Sequence, residues 1–188
     1  GRGLELNRLA VACARRAIEL EGATGVRVAG SIAPLEDCFR PDLVPARDLL
    51  RLEHAAQARS LKEAGADLIL VETMGTRREA TAAVTAAVAT GLPTWCSFTT
   101  SAPGRLLSGE PLSEAVAAVE DLGAEAVLLN CIPAAEALPE LQALLSCAAG
   151  PVGIYPNIGH ARGVEGWRRE LMLAPEDFAL RMEACADL

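Results

Sequence analysis

Apolar residues fall in two rhythms along this chain. Over residues 4–21 they recur at Leu6, Leu9, Ala10, Cys13, Ala14, Ala17 and Ile18, the three-and-four spacing of one helical face. Five short stretches are mostly apolar instead: residues 26–30, 67–71, 94–98, 126–129 and 152–155. Such continuous runs mark strands covered on both faces, as in parallel sheets. Helical stretches alternate with them. One begins near Pro45, which suits a first turn, and ends at Ala64 before Gly65, which suits a cap. The others are predicted over residues 78–90, 112–122, 134–148 and 175–186, with Pro139 in an early turn or at a break. Residues 35–45, 99–110 and 158–173 read as irregular connections.

This order predicts an α/β fold with a parallel sheet. Strand–helix–strand crossovers are right-handed, so the C-terminal ends of all the strands share one face. Successive strand ends lie roughly 30 residues apart, the length of one unit of an eight-stranded barrel. The expectation is a single domain over residues 1–188. It is read as part of a (β/α)8 TIM-type barrel, covering about five βα units. An open doubly wound sheet is the alternative. The barrel is favoured because the chain opens and closes on helices with no strand outside them.

The candidate chemistry sits at the strand ends: Ser31, Glu72 with Thr73, Ser97, Asn130 with Cys131, and Asn157. Each has a plain structural reading beside a functional one. Glu72 follows an apolar strand directly. It is either a salt-bridge partner for an arginine or an anchor for a substrate ammonium, because a buried carboxylate needs a cation or hydrogen-bond donors. Asn130 bonds either strand-end backbone or a ligand's polar group. Ser31 fits simple turn chemistry as well as substrate contact. Cys131 reads as a packed thiol or as a metal ligand, and one cysteine alone is too few for zinc, which takes four ligands. The other five cysteines, Cys13, Cys38, Cys96, Cys147 and Cys185, are expected as buried small hydrophobes. His54 is expected on a solvated helix face, and His160 as a loop histidine, with reach to the mouth as the alternative.

Charge and composition narrow the classes. A formal net charge of −8 disfavours nucleic acid and anionic lipid as partners. No apolar run approaches the ~18 residues a membrane span needs, and no signal pattern opens the chain. A cytoplasmic location is the expectation. Nucleotide-binding glycine loops and the zincin and serine-hydrolase motifs are missing from the sequence.

Several segments in order carry a resemblance. They are Gly30-Ser31 with Pro34, the stretch from Cys38 to Pro45, and the stretch from Ala64 to Met74 with Glu79-Ala80. Further on come Leu92 to Phe98, Leu107 to Glu110, Asn130-Cys131 and Tyr155 to Gly159. Together they resemble the homocysteine S-methyltransferase family. That resemblance implies a (β/α)8 barrel enzyme that moves a methyl group from a small sulfonium or ammonium donor, S-methylmethionine or S-adenosylmethionine, to homocysteine, giving methionine. It implies Glu72 against the amino acid's ammonium, with Asn130, Ser31, Thr73, Ser97 and Asn157 around the substrate. It also implies zinc in the intact protein, held by Cys131 and by two adjacent cysteines expected after Leu188. The chain departs from the family in having Leu128 and Ala33 where glycine is usual. With one of three cysteine ligands, the chain as written is expected to lack zinc and to be incomplete for catalysis.

Two other classes stay open on the residues. One is a different small-molecule barrel enzyme, such as an aldolase or isomerase. That class needs a strand-end lysine or phosphate site, and the one lysine, Lys62, falls on a helix. The other is a non-catalytic homologue that binds a small amino acid without zinc.

Overall fold

The computed structural model describes residues 2–159 and 172–188. Five strands form one parallel sheet: β1 (Ala29–Ile32), β2 (Leu68–Met74), β3 (Thr94–Phe98), β6 (Ala126–Pro133) and β7 (Val152–Asn157), adjacent in that order. Helices α1 (Arg2–Leu20), α2 (Arg47–Ala64), α3 (Arg77–Val88), α4 (Leu112–Asp121), α5 (Ala137–Leu145) and α6 (Pro175–Ala186) accompany them. A two-stranded antiparallel ribbon, β4 (Thr100–Ala102) and β5 (Arg105–Leu106), follows β3 inside the stretch read as a loop.

The core lies between the sheet and the helices. Ile69, Val71, Cys96, Phe98, Val127 and Leu129 are fully or almost fully buried against Ala80, Ala83, Val84, Ala87, Ala115, Val116, Val119 and Leu144. Alanine on α3 lets that helix approach the sheet closely, which is how a chain with few aromatics fills its interior. The other face of the sheet carries the alternate residues. Leu70, Trp95 and Leu128 there are half-buried, and Arg27 lies 5.4 Å from the centre of the Trp95 ring. Gly153 allows close packing on this face, since a side chain at that position would meet Leu128 at 3.2 Å.

Several expectations need correction. The first strand begins at Ala29 rather than Val26, so Ser31 lies within it. Val28 sits just outside, its N–H donated to Asp67 Oδ2 at 2.7 Å. The second and fourth predicted strands run on to Met74 and Pro133, past the residues taken as their ends. Strand β7 is half-buried, because only β6 flanks it. Helix α1 forms where the spacing places it but buries only Val11, leaving Leu6 and Leu9 exposed. Cys96 and Cys185 are buried as expected, whereas Cys13 is exposed and Cys38 and Cys147 are half-buried.

The largest correction concerns His54. It is fully buried, not solvated, and its Nε2 lies 3.3 Å from Glu79 Oε1. That same oxygen accepts the Leu35 N–H at 2.9 Å, and Thr76 caps α3 beside it by accepting from Glu79 N–H. The pair ties α2 and α3 to the segment leaving β1. Pro139 falls in the first turn of α5, as the sequence suggested.

Candidate functional site

The alternation along the strands places Ser31, Glu72, Ser97, Asn130 and Tyr155 on the face away from the helices, each near the C-terminal end of its strand. They form one polar row across all five strands. The sheet is strongly curved at this level. The Tyr155 hydroxyl donates to Glu72 Oε2 at 3.0 Å, although β3 and β6 lie between their strands. In a flat sheet three strand spacings put those backbones about 14 Å apart, beyond such a contact without curvature.

Two bulges shape the row. Between Val71 and Met74, and again between Asn130 and Pro133, three steps along one strand match two along its neighbour. The residues there with left-handed backbone are Thr73 (φ 61°) and Cys131 (φ 56°), neither of them glycine. A left-handed β-branched residue is uncommon, and such strain persists only where surrounding contacts over-determine it. Asn130 supplies those contacts. Its Oδ1 accepts from Thr73 N–H at 3.0 Å and from the Ser97 hydroxyl at 2.7 Å. Its Nδ2 donates to Thr73 Oγ1 at 2.7 Å and lies 3.3 Å from Cys131 Sγ. Thr73 Oγ1 is in turn 3.5 Å from that sulfur. Every hydrogen-bonding position of this buried amide has a protein partner, so the bulges of β2 and β6 are locked to each other.

Glu72 is partly exposed, and its partners are hydroxyls. Ser31 Oγ donates to Oε1, and Tyr155 donates to Oε2. Among the described residues no lysine or arginine pairs with it. Burial pushes the Tyr155 phenol far above its ordinary range, the charges of Glu72 and Cys131 add to this, and a hydrogen bond with Ser97 opposes it. Tyr155 is therefore a donor, not a phenolate. Burial also raises the Cys38 thiol, with the charge of Cys131 the next cause.

The structure thus brings together Ser31, Glu72, Thr73, Ser97, Asn130 and Cys131. Asn157 ends β7 opposite Pro133 and makes no hydrogen bond with that group. Tyr155 was overlooked as a site residue, although it shares the strand face of Asn157 two positions on. His160 lies outside the described residues.

Among the described residues no three His, Cys, Asp or Glu side chains gather closely enough to hold a metal ion. Cys131, partly exposed at the mouth, fits as one soft ligand of a zinc ion but not as a site by itself.

The homocysteine S-methyltransferase family profile matches residues 2–187. The chain belongs to the homocysteine S-methyltransferase family. It is 32% identical over 142 residues to the homocysteine S-methyltransferase of Escherichia coli, covering 70% of this chain and 45% of that enzyme. It is 31% identical over 144 residues to the methionine synthase of Mycobacterium leprae, covering 70% of this chain and 11% of the synthase. The metallated form of the Escherichia coli homocysteine methyltransferase MmuM superposes with a TM-score of 0.80 at 26% identity, covering 97% of this chain and 63% of that one. The chain therefore spans less than half the length of these curated relatives. Among the described residues no helix is long and apolar enough to cross a membrane.

Proposed function

We propose that the protein carrying this chain transfers a methyl group from S-methylmethionine or S-adenosylmethionine to the thiol of homocysteine, giving methionine. One observation carries this reading beyond family membership. Glu72, a carboxylate with no cationic partner among the described residues, stands in the same mouth as a thiol, Cys131, and the adjacent bulges join the strand ends that carry them. An amino acid with a thiol at its far end matches both groups, ammonium to Glu72 and sulfur towards Cys131.

In this reading the curved sheet is the third to seventh strands of an eight-stranded TIM-type barrel, a fold that keeps its sites at the C-terminal mouth. Cys131 is one zinc ligand, and two adjacent cysteines beyond Leu188 are the others. Zinc, when bound, supplies acidity, because coordination deprotonates a thiol whose ordinary pKa is about 8.5. The chain's own residues bind and orient. Glu72 fixes the amino end, Ser31 and Tyr155 hold that carboxylate, and Asn130 with Thr73 fixes the direction of the Cys131 thiol. The substrate sulfur forms a new S–C bond as the donor's methyl–sulfur bond breaks. The bonding pair leaves with the donor as a neutral thioether, and the thiol proton passes to solvent. Alignment and water exclusion are the remaining contributions of the mouth.

The test is methionine formation by the full-length, zinc-loaded protein from homocysteine and each donor. We expect methionine from one donor, one zinc per chain, and loss of both in Cys131→Ala. Full zinc retention by Cys131→Ala, or no methionine from either donor, overturns the reading.

A further inference from the structure

Glu72 is held in an unusual way for an acid expected to meet a cation. Each carboxylate oxygen already accepts one hydroxyl, Ser31 at Oε1 and Tyr155 at Oε2. A carboxylate has about four lone-pair directions, so each oxygen keeps one for another donor. Neutral hydroxyls orient the group without cancelling its charge, which an arginine in the same place does. Ser31 reaches Glu72 from the neighbouring strand. Tyr155 reaches it from β7, at the other edge of the five-stranded sheet.

That span gives Tyr155 a role Ser31 cannot have. A glutamate side chain has several rotatable bonds, and one hydrogen bond from an adjacent strand leaves the carboxylate free to swing across the mouth. A second donor from the opposite wall pins it from the far side. Tyr155 is also the register partner of Asn130 on the adjacent strand, which puts it beside the strand end that carries Cys131.

We propose that Tyr155 is a positioning residue for recognition of the substrate amino group, holding Glu72 so that its remaining lone pairs face a ligand beside Cys131. This rests on the reading of Glu72 as the ammonium's anchor. Tyr155 acts through Glu72, so its removal harms ligands that carry an ammonium and spares ligands that do not.

The experiment compares two ligands in the full-length, zinc-loaded protein. One is homocysteine. The other is 4-mercaptobutanoate, which keeps the thiol and the carboxylate but lacks the amino group. For Tyr155→Phe we expect homocysteine affinity to fall about three- to tenfold, the effect of one lost hydrogen bond. Affinity for 4-mercaptobutanoate and zinc content should stay at wild-type levels. In the Glu72→Gln background Tyr155→Phe should add less than about a further twofold, because its route of action is already gone. Ser31→Ala, which removes the hydroxyl on the near side, should give a smaller loss of the same selectivity, because Tyr155 still holds the carboxylate from the far wall.

Equal losses for both ligands mean that Tyr155 only supports the fold, and overturn the proposal. So does unchanged or tighter homocysteine binding in Tyr155→Phe, which makes the tyrosine a competitor for Glu72. Full additivity with Glu72→Gln overturns it too. Should Glu72→Gln itself leave the preference for homocysteine intact, the ammonium reading of Glu72 falls first, and the role of Tyr155 falls with it. A Glu72→Gln loss without a Tyr155→Phe loss leaves the anchor standing and refutes the tyrosine alone.

Discussion

Replacing Asn130 with alanine is the most direct test of how the mouth is held. The side chain is 2% exposed and makes three good hydrogen bonds, to Thr73 N–H at 3.0 Å, the Ser97 hydroxyl at 2.7 Å and Thr73 Oγ1 at 2.7 Å. Its contact with Cys131 Sγ at 3.3 Å is weaker. At about 1 kcal/mol for each of the three, the loss is about 3 kcal/mol. One effect trims it: letting Thr73 and Cys131 leave the left-handed region returns roughly 1 kcal/mol or more of strain. The expected net loss is about 2 kcal/mol, read from the midpoint of urea unfolding at constant slope. Ser97→Ala should cost about 1 kcal/mol in the natural background and close to nothing once Asn130 is gone. A loss below about 0.5 kcal/mol for Asn130→Ala, or equal cost of Ser97→Ala in both backgrounds, refutes the clamp.

Two further expectations follow from buried and surface charge. Glu79→Ala strips a fully buried histidine of its partner and leaves the Leu35 N–H without an acceptor. It should destabilise the protein by about 1–3 kcal/mol in the same unfolding assay, the cost of a buried donor left unsatisfied, whereas Glu79→Gln, which keeps an acceptor for Leu35, should cost clearly less. Arg15 and the Val28 N–H together hold the Asp67 carboxyl below the ordinary value of 3.8, with Arg15 the larger cause. A lowered folded-state value means that stability is fully present above that ordinary value and is lost as pH falls through the shifted one. Arg15→Ala should therefore lower the melting temperature modestly near neutrality and converge with the natural protein below about pH 4, which flattens the acid limb of the profile. An identical acid limb in the variant removes the ion pair from the account.

Much of the architecture was legible because burial on both faces of a parallel sheet leaves an unmistakable apolar run. The runs ending near Glu72 and Asn130 predicted which residues would gather, since crossover handedness puts strand ends together. What stayed hidden depended on partners far along the chain. His54 lies among Glu53, Gln57 and Arg59 and so reads as solvated. Glu79, on the next helix, is what makes its burial tolerable. Tyr155 looked like one more apolar residue of a strand, because its hydroxyl finds Glu72 only through the curvature of the sheet. The bulges left no local signal at all. A left-handed position usually declares itself by glycine, and here the residues are a threonine and a cysteine, held by an asparagine that only the fold brings near.

The bulges have an arithmetic consequence. Along a strand, side chains alternate between the two faces, and Leu70 with Glu72, like Leu128 with Asn130, are the even-numbered residues turned away from the helices. Met74 and Ile132 are even-numbered too, yet both are buried in the core with the helices. One extra residue in each strand has reversed the parity. Without Thr73 and Cys131 as the inserted steps, a methionine and an isoleucine would continue the polar row and close the mouth with hydrocarbon. Because β2 and β6 reverse at the same level, the mouth changes from polar wall to core over a single residue on both sides. Straightening either strand with all its residues kept would exchange wall for core along everything that follows, whereas deleting Thr73 or Cys131 would remove the extra step and leave Met74 or Ile132 in the core.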